Sequence, residues 1–400
     1  MQESVMLHGI PRTVWVLGLI SLFMDISSEL VHGLLPIFLV TTLGSSMLAV
    51  GLIEGAAEAT ALLVKVFSGT LSDYFGKRKG LLLLGYGLGA LSKPLFPLAG
   101  SANAVLTARV IDRIGKGIRG APRDALVADV TPSAVRGAAY GLRQSLDSVG
   151  AFIGPLLAVL LMLLLSNDIQ LVMWFAVLPA LIAVALIIFG VKEPASNRPS
   201  GVLHSPIRRA SLKLFPPAFW WVVLIGGVFT LARFSEAFLV LRAQQVGMSL
   251  AWIPLVMVIL ALFYLLSAYP VGQLSDRIGR HGLLSAGLML LIVADLLLAS
   301  GDSLLMILLG VAIWGLHLGF TQGLLAAMVA DTAPAALRGT AFGVFNLLSG
   351  GCMLVASVLA GWLWQTWGAA TCFYSGALFA ALACLLLQLR PGWTRYPVSS

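Results

Sequence analysis

GTLSDYFGKRKG, residues 69–80, returns as GQLSDRIGRHG at residues 272–282, an offset of 203. VADVTPSAVRGAAYG, residues 127–141, returns as VADTAPAALRGTAFG at residues 329–343, an offset of 202. Two separate segments repeating at one offset mean that the chain is built from two halves of the same design. Each repeated segment is polar and basic and sits between long apolar runs, so the copies mark equivalent loops.

Working outward from those loops, the charges alternate. GKRKG (76–80) is followed by LAGSANA (98–104), VRGAA (135–139) by SNDIQ (166–170), and SDRIGRHG (275–282) by SGDS (300–303). Lys and Arg near short loops stay on the cytoplasmic side of a membrane, so the alternation fixes an orientation. It also requires an even number of crossings with both ends inside, which predicts a multi-pass protein of the cytoplasmic (inner) membrane.

Composition agrees. The chain has 400 residues, 59% hydrophobic and 10% charged, against about 25% charged in a soluble domain. A span needs about 20 apolar residues, which allows roughly twelve here. They are expected near residues 14–40, 48–71, 81–98, 102–123, 138–165, 170–190, 218–242, 250–271, 283–299, 304–328, 340–364 and 369–389. The net charge of +8 is dispersed over cytoplasmic loops, so topology accounts for it and no nucleic acid is expected. Cys352, Cys372 and Cys384 fall inside spans without metal spacing or a disulfide framework, as apolar packing residues do. The first span is too long and too acidic for a cleavable signal peptide and is expected to remain as a membrane helix.

Six spans fall in each half: an N-terminal bundle over residues 1–191, a connector over 192–217 and a C-terminal bundle over 218–400. The connector carries Pro194, Pro199, Pro206, Pro216 and Pro217 with Lys192, Arg198, Arg208, Arg209 and Lys213, which reads as a solvated linker. Paired halves of the same topology are one way to build a two-state transporter that rocks around a central site.

The doubled G-x-L-S-D-x-x-G-[KR] segment, with this span count, resembles the signature of the major facilitator superfamily, and the resemblance covers essentially the whole chain. It implies an all-α membrane fold of 12 transmembrane helices in two six-helix bundles around a central cavity. It implies that Asp73 and Asp276 help close the cytoplasmic side as gating residues. A carboxylate beside a helix N-terminus is stabilised there by free N–H groups and the dipole. Gly76 and Gly279 allow the tight turn, while Lys77, Arg78, Lys79, Arg277 and Arg280 anchor the loop inside. The plainer alternative is that these residues are topology charges alone.

The halves differ where function is expected. Span four reads ARVIDRIGKGIRGAPRD (108–124), and its counterparts to Arg109, Asp112, Arg113, Lys116 and Arg119 are Val311, Trp314, Gly315, Leu318 and Thr321. Each charge inside a membrane costs about 2.5–3.5 kcal/mol even on the lenient insertion scale, so most of these must face the interior or a protein partner. Asp112, Lys116, Arg119 and Arg123 fall on one helical face; Arg109, Arg113 and Lys116 form an overlapping stripe. The latter three are the substrate candidates, and Arg119 and Arg123, near the cytoplasmic end, the gating or loop-anchoring pair. Compensating acids are Asp25 and Glu29 in span one, Glu54 and Glu58 in span two, and Asp147 in span five, four residues beyond Arg143; Lys65 follows Glu58 by seven. Proximity to Arg or Lys decides when a buried carboxylate protonates, so with Asp112 the set suits a proton switch in which substrate and proton compete for one cation. Asp25 is the first choice, with Glu29 and Asp147 after it. The same residues also read as an ion-pair network holding the N-terminal bundle, and both roles can hold together.

The C-terminal half offers Arg233 and Glu236 in span seven, Arg242 near its outer end, and Asp295 and His317 standing alone in spans nine and ten. His317 reads as a proton carrier or as a satisfied polar contact. Arg233 and Trp314 are added as substrate candidates, with Tyr264 and Trp314 lining an apolar wall or packing. In span five Gly141, Gly150, Gly154 and Pro155 resemble the family's antiporter motif, although its final Gly-Gly pair is Ala158-Val159 here. Glycines at this spacing permit close helix approach and Pro155 allows a bend. HGLLPIFLV (32–40) also resembles the Pro-containing end of span one in twelve-span exporters. The expected function is a secondary active transporter working by alternating access: a proton-coupled exporter, or antiporter, of a small organic, anionic or zwitterionic solute. A proton-coupled uptake symporter for an organic anion is the alternative, and a membrane receptor or enzyme the remote one. No Walker loop, nucleophile elbow or zinc-protease pattern is present in the sequence, so neither catalysis nor a cofactor or metal is expected. The partners are the small-molecule substrate, protons and membrane lipid, and the chain is expected to act as a monomer.

Overall fold

The computed structural model describes residues 6–7, 9–75, 77–192, 212–278, 280–334 and 337–389, without the side chains of residues 6, 7, 70, 73, 75 and 276–278. Most of the connector expected over 192–217 therefore lies outside the described residues. So do Gly76 and Gly279, and the side chains of Asp73 and Asp276.

Twelve helical spans run through the described residues. They are α1 (Arg12–Ile37) with the π-helical turn Phe38–Thr42, α2 (Met47–Phe75), α3 (Arg78–Ser92) with the 3-10 turn Lys93–Leu95, α4 (Ala102–Val130) and α5 (Arg136–Leu164). The sixth is split into α6 (Ile169–Trp174) and α7 (Val177–Gly190), and the seventh into α8 (Pro217–Ala232) and α9 (Ala237–Gln245). α10 (Leu255–Ile278), α11 (Arg280–Ser300), α12 (Leu304–Thr332), α13 (Arg338–Trp367) and α14 (Ala369–Gln388) complete the set. Ten of these stretches are long and apolar enough to cross a membrane by themselves. The two that are not are α3, at 15 residues, and α4, interrupted by its charges. α1 ends where Pro36 cannot donate to the carbonyl of His32 four residues back, and the backbone continues as the wider π turn.

The chain forms two compact units. One takes in the described residues within Met1–Ser45, Ala56–Pro206 and Leu250–Leu255, the other those within Ser46–Gly55, Ile207–Ser249 and Val256–Ser400. In the first, α1 packs against α5 and α7, and α3 against α4 and α7. Val14, Leu17, Ile20, Met24, Leu82 and Tyr86 make its dry interior. α3 and α4 cross through Gly85 and Gly115, where a Cβ on either residue would come within 3 Å of the other's carbonyl oxygen. In the second unit α11 packs against α12 and α14, and α8 against α13 and α14.

The structure explains why the loop sequences repeat. Arg78, at the start of α3, pairs with Asp129 near the end of α4 at 2.6 Å, and Arg280, at the start of α11, pairs with Asp331 near the end of α12. Lys79 donates to the carbonyls of Ile188 in the last turn of α7 and Val191 just after it, at 2.9 and 2.8 Å. His281 does the equivalent for α14 by donating from Nε2 to the Leu387 carbonyl at 3.0 Å. Arg136 and Arg338 donate to the carbonyls of Ala128 and Ala330, each at 3.3 Å. Ser101 and Ser303 cap α4 and α12 through the N–H groups of Ala104 and Met306. Helix ends leave carbonyls and N–H groups without intrahelical partners. A cationic side chain at a C-terminus and a serine at an N-terminus supply them, the caps at about 0.5–2 kcal/mol each.

Candidate functional site

The charges of α4 do not lie loose; neighbouring helices of the first unit meet most of them. At one level Lys93, just past α3, sits 2.8 Å from Asp112 and donates also to Ser28 of α1 at 3.1 Å, while Ser92 reaches Asp112 at 3.4 Å. Lys93 and Asp112 are both almost fully buried. An ion pair so deep persists because each charge is satisfied by the other and by the adjacent hydroxyls. Asp112, expected among the proton-coupling acids, is thus held by a lysine that spacing along α4 does not show.

Beside it, Arg109 and Arg113 converge on His32 of α1. Their Nη2 groups lie 3.1 and 3.4 Å from His32 Nδ1, and Arg113 also reaches Glu58 of α2 at 3.2 Å. Guanidinium nitrogens only donate, so Nδ1 accepts from both. Lys116, in the middle of the same helix, is exposed and makes no ion pair or hydrogen bond among the described residues. A cation at mid-span without such a partner must be met by water or by an anion.

One level further along, a second cluster forms. The carboxyl groups of Asp25 on α1 and Asp147 on α5 face each other closely. Like charges so close disfavour full ionisation of both acids at once. Arg123 reaches Asp147 at 3.4 Å, Ser21 at 3.0 Å and Asp124 at 3.2 Å, and Arg143 approaches Asp147 at 3.8 Å. Arg119 is buried with its guanidinium 4.6 Å from the centre of the Tyr86 ring. The glycines of α5 create this meeting. A Cβ on Gly150 would stand 2.5 Å from the Leu22 carbonyl oxygen and 3.1 Å from Asp25 Cβ, and one on Gly154 2.9 Å from Glu29 Cβ. Gly141, the first glycine of the motif, has nothing within 4 Å of such a Cβ. The motif therefore splits into one open position and two contact points that bring Asp25 to Asp147.

Of the remaining expected residues, Glu29 is half-buried against Gly154 and forms no ion pair among the described residues. Glu54 is buried, but in the part of α2 that belongs to the second unit. In that unit Trp314 is buried, with the Arg233 guanidinium 6.0 Å from its ring centre and 5.6 Å from that of Phe229. His317 donates from Nδ1 to the Trp314 carbonyl at 2.5 Å, and its ring meets the Trp314 ring edge-on at 4.7 Å. Asp295 is wholly buried beside Gly376, at which any side chain would strike its Oδ2. Sequence reasoning missed His32, Lys93, Tyr86 and Ser21. Lys93 had left a signal: it is a lysine at the end of a span whose following loop, 98–104, carries no charge. Arg242 breaks the pattern in the same way and is likewise engaged, donating to the carbonyls of Leu298 and Gly301 at 2.9 Å each.

Comparison with known proteins gives concordant results. The profile of the Major Facilitator Superfamily matches residues 17–357 and 237–399. An uncharacterised MFS-type transporter of Methanocaldococcus jannaschii is 33% identical over 383 residues, covering 94% of each chain. The quinolone resistance protein NorA of Staphylococcus aureus is 29% identical over 126 residues, 32% of each chain. Among solved structures, the nucleoside transporter NupG superposes with a TM-score of 0.73 at 14% identity, over 94% of this chain and 98% of that one, a likeness of fold alone.

Proposed function

The chain belongs to the Major Facilitator Superfamily, and within it we propose a proton-coupled exporter of a small zwitterionic solute, working by alternating access. Membership makes the chain a multi-pass secondary transporter and not an enzyme. The observation that carries the finer reading is the close pair of acids Asp25 and Asp147, set at the glycine crossing of α1 and α5 and flanked by Arg123. There two acids approach each other as well as the cations Arg123 and Arg143.

The sign of coupling constrains the substrate. The expectation from sequence was that proton and anionic substrate compete for one cation, and the physics runs the other way. Protonating a carboxylate releases its cation, which then becomes available to an anion, so proton and anion bind together. Exchange requires the substrate to compete with the proton, and only a cationic group competes for a carboxylate. A zwitterion satisfies both clusters. Its ammonium group displaces the proton at Asp25–Asp147, and its anionic end is met by Lys116, Arg113 and Arg109. The partial match to a quinolone resistance protein points towards export as well. Glu29 and Glu58 are second-choice proton carriers, and Arg233 and Trp314 are substrate candidates from the second unit. Asp73, Gly76, Asp276 and Gly279 remain the proposed cytoplasmic gate, in a monomer of the inner membrane with both termini inside. The proposed division is residues 1–191, 192–217 and 218–400.

Solute accumulation in inside-out vesicles with an imposed pH gradient tests this. Asp25→Asn is expected to abolish the response to the gradient while leaving energy-independent exchange, and Arg113→Ala to abolish transport with insertion intact. Full proton-driven transport by Asp25→Asn, Glu29→Gln and Asp147→Asn alike would overturn the proton switch. The second reading, uptake of an organic anion with protons, is favoured by the Glu58–Arg113 pair, whose protonation frees a cation. It is identified by accumulation in right-side-out vesicles under an inward proton gradient.

A further inference from the structure

Arg109 and Arg113 share one acceptor, and that acceptor is a side chain able to change its charge. We infer that His32 Nδ1 is the resident occupant of an anion seat, a lone pair holding two guanidinium groups where an oxyanion of the substrate will lie, and that protonation of His32 vacates the seat. The inference rests on the reading of Arg109, Arg113 and Lys116 as the anion-binding side and is independent of the direction of transport.

The hydrogen-bond chemistry leaves little freedom. Both guanidinium groups donate to Nδ1, at 3.1 and 3.4 Å, so the imidazole is the neutral tautomer with its proton on Nε2. An imidazolium has no lone pair and carries the same charge as its two neighbours. Accepting from the arginines and binding a second proton are therefore mutually exclusive. A planar oxyanion accepts from two guanidinium groups at least as well as an imidazole nitrogen does, in charge-assisted bonds roughly twice as strong as neutral ones. Arg109 and Arg113 are one turn apart on α4 and present their donors to a single point.

The surroundings decide whether His32 can act independently. Of the elements packed against α1, α4 brings Arg109, Asp112, Arg113 and Lys116, and α5 brings Arg143 and Asp147 near Asp25, two turns away along α1. α6 and α7 bring no charged side chain. Asp112 is engaged by Lys93 at 2.8 Å and Glu58 by Arg113 at 3.2 Å, while Glu29 stands three residues earlier on α1 itself. Asp112 and Glu58 are thus each engaged by a cation, and the two arginines are the groups that meet His32 Nδ1 itself. Pro36 adds a local cause for the position of the ring, because it interrupts the helix at the His32 carbonyl. At this seat proton and anion binding reinforce each other, opposing the competition at Asp25–Asp147, so the net coupling of a zwitterion depends on both clusters.

The test uses the full-length protein in detergent, with inorganic sulfate as probe, because sulfate keeps its charge across the range in which histidine titrates, about pH 5 to 8. In the wild type, sulfate is expected to bind about tenfold more tightly at the acid end, the factor that ~1.4 kcal/mol makes. In His32→Asn, whose Oδ1 takes the place of Nδ1 but cannot be protonated, the ratio between the two pH values falls to near one. Nitrogen NMR of labelled histidine, comparing wild type with His32→Asn, should show the Nε2–H tautomer at neutral pH. An Nδ1–H tautomer or an imidazolium there overturns the inference whatever binds. If sulfate affinity is lost in Arg113→Ala but is independent of pH in the wild type, the anion seat stands and the role of His32 falls. If Arg113→Ala binds sulfate as the wild type does, the underlying reading of the seat fails instead, and the tautomer alone decides for His32.

Discussion

A methyl group added at Gly150 tests the crossing on which the proposed proton pair depends. In Gly150→Ala the new Cβ would stand 2.5 Å from the Leu22 carbonyl oxygen and 3.0 Å from Leu22 Cα. Ordinary contact begins at 3.4 Å, so the backbones of α1 and α5 must separate there by about 0.9 Å. Overpacking a tight contact costs about 1–3 kcal/mol, against a gain of about 1 kcal/mol from replacing glycine by alanine inside a helix. The net expectation is a loss of up to about 2 kcal/mol, with Asp25 moved away from Asp147 because its own Cβ lies 3.1 Å from the added atom. Gly141→Ala, in the same helix and motif, meets nothing within 4 Å and should be neutral or gain up to ~1 kcal/mol. Thermal unfolding of the purified variants measures the first effect, and pH-driven solute accumulation in vesicles the second. Should Gly150→Ala unfold with Gly141→Ala and transport like the wild type, the crossing is not the constraint described here.

Lys93→Met should destabilise the chain by about 3–5 kcal/mol by leaving Asp112 buried without a cation, and the double variant Lys93→Met, Asp112→Leu should recover most of that; unfolding midpoints decide. Arg280→Ala is expected to cost no more than about 1 kcal/mol, because Arg280 and Asp331 are both partly exposed; Arg78→Ala should cost more, because Arg78 is buried and also donates to Ser72, and the double variant should be additive if the two units respond independently. Lys116→Ala should leave the unfolding midpoint close to wild type yet weaken sulfate binding, a combination that a structural lysine would not produce.

The fold was legible because its determinants are local and doubled. Apolar runs mark the spans, and two segments at one offset reveal two halves. Even the details of the repeat were present in sequence, since Arg78 and Arg280, or Ser101 and Ser303, occupy equivalent positions; what was not visible is that each side chain finishes a helix end. The site was legible only along each helix. Spacing put Arg109, Arg113 and Lys116 on a stripe of α4 and selected Asp25 and Asp147, but it cannot say which helix a stripe meets. Lys93 is 19 residues from Asp112 and His32 is 77 from Arg109, and such partners are set by packing. Glu54 and Glu58, four apart on one face, divide between the two units. Gly150 and Gly154 were read as contact glycines, yet their consequence, the pairing of Asp25 with Asp147, needs the neighbouring helix.

Two lysines of the first unit separate what the charges inside it do. Lys93 is buried, touches a carboxylate at 2.8 Å and a hydroxyl at 3.1 Å, and ties the end of α3 to α4 and α1. Lys116 is the same side chain at mid-span, exposed, with no ion-pair or hydrogen-bond partner among the described residues. The cost of holding a cation in a membrane applies to both, and only Lys93 has it offset by protein. Between them stands Arg113, with Glu58 and His32 both in reach, engaged but by groups that can let go: one by gaining a proton, the other by losing its lone pair to one. Within about one turn of α4, Asp112, Arg113 and Lys116 pass from satisfied to exchangeable to open, where the counterpart α12 has Trp314, Gly315 and Leu318, and such a gradation is what a binding surface on a stable scaffold requires. A purely structural network would have closed every pair.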